Sequence, residues 1–154
     1  MLLRFLASSN PGGLIAEHGT GAGVGAAWLT SGLIGGARLI FAERDGELAD
    51  QSSRLFRELP AVEIRSGDEP YDLLFTDASF RTGFDPSNWN NIIELVKVAG
   101  QIVMDDSHPV DLWPPEWDDL VDAKREFALR NLRVAGAEIR TTATTAALIA
   151  TRVA

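Results

Sequence analysis

The chain has 154 residues, 45% of them hydrophobic, enough for a single domain with a sizeable core. Its net charge is −8, and its 14 Lys and Arg are scattered, with Lys124-Arg125 the one tight pair. Nucleic acid is therefore not expected as a partner. The absence of cysteine excludes disulfides and thiolate zinc sites. Residues 1–10 are too short and too polar for a signal peptide, and no apolar run approaches the length of a membrane span, so a soluble cytoplasmic protein is expected.

Residues 1–7 carry Leu2, Leu3, Phe5 and Leu6 at helical spacing, and Asn10-Pro11-Gly12-Gly13 stops that helix. A short buried strand over 14–16 leads into a glycine turn and a helix over 24–33, closed by Gly35-Gly36. Alternate glycines at Gly19, Gly21 and Gly23 let the backbone turn sharply and approach a ligand. A second strand over 38–42 ends at Glu43, twenty residues beyond Gly23. In a parallel sheet such a carboxylate sits beside the glycine turn, where it can accept hydrogen bonds from ribose hydroxyls.

A helix over 46–59 presents Leu48, Ser52, Leu55 and Phe56 on one face, and Pro60 ends it. Strands follow over 62–64 and 72–76, then a helix over 89–98 and a strand over 101–104. A further helix is expected to begin after Pro114-Pro115, with Trp117, Leu120, Val121, Lys124, Phe127 and Ala128 on one side and the lysine ammonium reaching water. The last two strands, 137–142 and 146–153, are joined by too few residues for a parallel crossover, so they must be antiparallel neighbours.

The glycine turn admits two nucleoside ligands. Gly21, Gly23 and Ala26 fit the G-x-G-x-x-A form of the dinucleotide fingerprint, which would make the chain an NAD(P)-dependent oxidoreductase. Against that, Glu17 stands two positions before Gly19. A carboxylate there would repel a pyrophosphate but suits a ligand carrying an ammonium and a sulfonium. The segment from Glu17 to Gly23 resembles motif I of class I S-adenosylmethionine (SAM)-dependent methyltransferases, above all the catechol O-methyltransferase-like group. The terminal hairpin agrees with the seven-stranded sheet of that family.

The resemblance implies an α/β, Rossmann-like sheet of order 3-2-1-4-5-7-6 with the last strand antiparallel, in one domain over 1–154. It implies SAM as cofactor, held by Glu17, Gly19, Gly21 and Gly23 at the methionine end, by Glu43 at the ribose and by Asp68 at the adenine, with Thr20 and Arg44 also among the cofactor-binding residues. Asp77, at the end of the fourth strand, and Asp105-Asp106, at the end of the fifth, are similar to the family's three ligands for a divalent metal such as Mg²⁺. Asp77 is also a candidate for the SAM amino group. Three oxygen ligands suit such a cation, which would hold a substrate hydroxyl and favour its deprotonated form. The sequence departs from the pattern at Ser79 and Phe80, where the family has an acid and a lysine that assists deprotonation.

His108, just after the fifth strand, is a second candidate catalyst beside Asp105, since an imidazole can exchange protons near neutral pH. Trp113 is a candidate pocket wall, and Trp117 a core residue. The substrate expected is a small molecule, with aromatic alcohols the first class to consider. Only one short helix precedes the first strand, where relatives carry several, which implies either cover from a second subunit or a longer parent protein. That shortage and the apolar termini (Leu2, Leu3, Phe5 and Leu6, with Leu148-Ile149-Ala150) lead us to expect a homodimer. A SAM-binding domain acting through protein contacts, without catalysis, is the non-enzymatic alternative.

Overall fold

The computed structural model describes residues 1–43, 45–64, 70–76, 86–117 and 119–154. In chain order the elements are α1 (Leu2–Ser8), β1 (Leu14–His18), α2 (Val24–Thr30), β2 (Arg38–Ala42), α3 (Gly46–Phe56), β3 (Val62–Ile64), β4 (Tyr71–Thr76), α4 (Pro86–Glu94), β5 (Val96–Ser107), α5 (Ala123–Arg130), β6 (Val134–Arg140) and β7 (Ala146–Arg152). Two single 3₁₀ turns, Val110–Leu112 and Pro115–Trp117, bridge β5 and α5.

The strands form one sheet of order β3-β2-β1-β4-β5-β7-β6. The first five pair in parallel, and β7 runs antiparallel to both β5 and β6. The inner strands are covered on both faces, which is why they read as unbroken apolar runs. Alternate residues sort onto the two faces. Ile15, Leu39, Phe41, Leu73, Phe75 and Val103 pack with α1, α2 and α3 residues such as Leu6, Leu29 and Phe56. On the other face Ala16, Ile40, Leu74, Ile102 and Met104 meet α4 and α5, where Trp89 stacks on Phe127 with ring centroids 4.4 Å apart.

Several boundaries differ from the sequence expectation for identifiable reasons. The helix expected over 89–98 stops at Glu94, because Val96 pairs with Tyr71 as the start of β5. Arg152 Nη1 closes the helix end by donating to the carbonyls of Ile93 and Val96. The chain then bulges before the ladder resumes at Gln101, with Ala99 at φ 68°. The helix expected after Pro115 begins only at Ala123, where the Asp122 carboxylate caps the backbone N–H groups of Lys124 and Arg125. Trp117, Leu120 and Val121 therefore fall outside it and are exposed, while Phe127 and Ala128 are buried. The hairpin starts three residues earlier than expected, at Val134, whose side chain is buried.

The apolar termini also behave differently from the expectation behind a homodimer. Leu6 and Ala7 belong to the core under α2, and Leu148 and Ala150 are buried in the sheet. Of the residues named for that interface, Phe5 is the one left largely exposed. No helix among the described residues is long and apolar enough to cross a membrane.

Candidate functional site

The sheet order reverses between β1 and β4, and open α/β sheets bind ligands outside the carboxyl ends of strands at such a switch point. A cleft of about 730 Å³ opens there. Its walls include Glu17 from β1, the glycine loop from Gly19 to Ala22, Val24, Gly25 and Trp28 from α2, Asp105 and Asp106 from β5, and the β6–β7 connection.

The glycine loop has a conformation that only its glycines allow cheaply. Gly19, Gly21 and Gly23 lie at φ 86°, 52° and 80°, in the left-handed region. A Cβ on Gly21 would meet nothing within 4 Å, so the crest of the loop faces open space over the cleft. Thr20, beside it, is buried, and its hydroxyl has no hydrogen-bond partner among the described residues. A buried hydroxyl lining a cleft is a group that a polar ligand can satisfy.

Glu17 lies on the face of β1 that carries Ile15, under α2, and is only 1% exposed. Room for its carboxylate comes from Gly25, in the first turn of α2. A Cβ there would collide with Glu17 Oε1 and stand 2.7 Å from Phe75 Cε1. His18 is half-buried at the end of β1 with its ring edge-on to Tyr71, and burial lowers its pKa from the usual 6.5. Glu43 closes on the loop: its Oε2 accepts from Gly21 N at 2.7 Å and its Oε1 from Asp45 N at 2.9 Å.

Outside the cleft, α5 braces the end of β5. Lys124 Nζ donates to the Asp105 carbonyl at 2.7 Å, so the ammonium turns inward to β5 and not to water as expected. Arg125 is the hub of this region. Its guanidinium pairs with Glu138 and Asp122, donates to the His108 carbonyl at 2.6 Å, and lies over the Trp113 ring. Burial alone would lower its pKa, but the hydrogen bonds and charges of Glu138 and Asp122 outweigh that and raise it.

The sequence-derived candidates separate into three groups. Glu17, Gly19, Thr20, Gly21, Asp105 and Asp106 come together as cleft walls, with Gly23 and Glu43 immediately behind the loop. Arg44, Asp68 and Asp77, like Ser79 and Phe80, lie outside the described residues. His108 is not part of the cleft wall: it is exposed and its ring packs against Trp117. Neither tryptophan takes its expected place. Trp113 lies beneath Arg125 with Nε1 bonded to the His108 carbonyl, and Trp117 is 38% exposed. The cause is the late start of α5, which leaves both tryptophans ahead of the helix, in or beside the two 3₁₀ turns.

Asp106 sits at φ 56° and donates its N–H to Asp105 Oδ1, and the two acids lie where the β5–β7 ladder shifts register between Met104 and Ser107. Among the described residues no three carboxylates or histidines gather as a metal site.

Gly25, Arg125 and Trp28 left little local signal as site residues. Gly25 was legible only as one glycine more than the motif needs, inside a helix that glycine disfavours.

No family model and no curated protein matches the sequence. Solved structures do. An O-methyltransferase from Bacillus cereus in complex with SAH superposes with a TM-score of 0.74 at 21% identity, over 98% of this chain and 79% of that one. The O-methyltransferase TomG from Streptomyces achromogenes, involved in tomaymycin synthesis and bound to SAM, gives 0.69 at 20% identity, over 99% and 78%. The chain has the class I methyltransferase fold. A SAM-dependent methyltransferase from Aquifex aeolicus gives 0.70 at 17% identity, over 97% and 86%. In each case the likeness extends across nearly the whole chain, hairpin included.

Proposed function

We propose that this protein is a SAM-dependent methyltransferase acting on a small molecule, with O-methylation as the reaction to test first. The observation that carries the proposal is the buried Glu17 carboxylate on the floor of the glycine-loop cleft, with Gly25 making room for it. An anionic floor opposes a pyrophosphate and favours an ammonium, which speaks for SAM over NAD(P). The residues fit SAM on three further counts: an open crest at Gly21, an unsatisfied buried hydroxyl at Thr20, and the Glu43 carboxylate at the end of β2, bonded to the glycine loop.

Glu17 and the loop glycines would hold the methionine end, with Glu43 at the ribose and Asp68 at the adenine. When bound, SAM supplies an electrophilic methyl group on a sulfonium. The protein's main contribution is then positioning of the acceptor in line with that methyl. Asp105 lines the cleft and is the group suited to accept or orient the acceptor's proton, a role for which the exposed His108 is poorly placed. Asp105 and Asp106 offer adjacent oxygen donors, and with Asp77 they would form the set for a hard divalent cation, which favours a deprotonated acceptor hydroxyl. The net charge of −8 argues against a nucleic-acid acceptor.

Turnover of methyl-labelled SAM against a panel of phenols and catechols tests the proposal. Label appearing in an acceptor supports it. Tight SAM binding with no transfer to any acceptor class would favour the binding-domain alternative.

A further inference from the structure

We propose that Ser52, on α3, is a positioning residue for the cofactor loop, acting through Gly21. The inference rests on the SAM reading for its functional consequence, while its structural content stands by itself.

Gly21 has no side chain to pack, so hydrogen bonds must set its conformation. Its N–H donates to Glu43 Oε2 at 2.7 Å, and its carbonyl accepts from Ser52 Oγ at 3.1 Å. One bond fixes the peptide before the Gly21 α-carbon and the other the peptide after it. Together they hold both soft torsions of a residue at φ 52°. Without the serine bond, only the N-terminal side of the crest is anchored by a side chain.

Ser52 is an unusual choice for its place. It is 2% exposed, in the interior of a helix, where serine is a poorer helix former than alanine. Its neighbour Ser53 shows the ordinary outcome, a local bond from Oγ to the Ala49 carbonyl at 2.6 Å. Ser52 instead spends its hydroxyl on a residue 31 positions away.

The rest of α3 supports the same loop. Phe56, one turn on and on the same face, lies where a Gly23 Cβ would be 3.2 Å from its ring. Asp45, which caps the helix, donates its own N–H to Glu43 Oε1. The helix therefore holds the loop crest, the loop exit and the ribose acid in one register. A loop already ordered before binding loses less entropy when ligand arrives.

The test compares wild type with Ser52→Ala and with Ser52→Cys, which keeps the side-chain shape with a somewhat larger atom that is only a weak donor. Amide exchange of the loop peptides and calorimetric titration with S-adenosylhomocysteine (SAH) are the readouts. In both variants, exchange over residues 19–23 should quicken while that of β4 and β5 stays unchanged. SAH affinity should fall roughly three- to ten-fold, the ordinary worth of one hydrogen bond. Wild-type exchange in the loop of the cysteine variant, or wild-type SAH affinity in both variants, overturns the proposal. If the wild type itself fails to bind SAH, the SAM reading falls, and the exchange measurement alone decides the role of Ser52.

Discussion

Gly25→Ala is the substitution whose consequence the geometry fixes most sharply. The added methyl would collide with Glu17 Oε1 and stand 2.7 Å from Phe75 Cε1. Both neighbours are buried, Glu17 at 1% and Phe75 at 5% exposed, so admitting the methyl requires one or both to shift. Overpacking of this kind costs about 1–3 kcal/mol. Alanine in a helix returns about 0.5–1 kcal/mol relative to glycine. With two buried obstacles the cost lies in the upper part of its range, so the net loss should be about 1–2 kcal/mol. For a chain of this length that lowers Tm by roughly 2–8 °C.

Gly46→Ala is the control, because a Cβ there meets nothing within 4 Å, and its Tm should match or slightly exceed wild type. A double-mutant cycle with Glu17→Ala locates the cause: removing the carboxylate should recover at least about 0.5 kcal/mol of the Gly25→Ala penalty. Thermal unfolding followed by circular dichroism measures all four corners. A Gly25→Ala protein as stable as wild type, or strict additivity with Glu17→Ala, would refute the argument that Gly25 exists to seat that carboxylate.

Arg125→Ala should destabilise the fold by about 3 kcal/mol, at the lower end for a broken buried pair because Glu138 keeps a quarter of its exposure. The midpoint of urea unfolding reads this. His18 carries a pKa lowered by burial, so it resists protonation in the folded chain more than in the unfolded one. Stability should accordingly decline as pH falls below about 6.5, and His18→Gln should flatten that decline; parallel Tm curves from pH 8 to 5 would count against it. If Asp77, Asp105 and Asp106 hold a cation, turnover should drop on treatment with a chelator and return with Mg²⁺. Insensitivity to the chelator would leave Asp105 acting without a metal.

Much of the architecture was legible because local and global signals agree. Inner strands such as β1 and β4 are buried on both faces and show as apolar runs, and the short link before β7 forces an antiparallel pair. Glu17 and Glu43 were legible because an acid at a strand end, beside or in register with a glycine turn, is a local pattern.

The failures have a common cause in partners distant along the chain. The stretch from Trp117 to Val121 has helical apolar spacing, yet Asp122 caps a helix only from Ala123 onward, and the tryptophans go to Arg125 and His108 instead. The β-branched Val96 continues a helical pattern but pairs with Tyr71. The Ser52 bond to Gly21 spans 31 residues and leaves no trace in local spacing.

Calorimetric titration of the purified protein with SAH, beside NADH and beside the Glu43→Ala variant, decides whether the cleft is a SAM site. Saturable SAH binding is expected, none for NADH, and a loss of about 1.5–3 kcal/mol in the variant, roughly ten- to a hundred-fold in affinity. NADH binding in the place of SAH, or SAH affinity unchanged without the Glu43 carboxylate, would contradict the SAM reading.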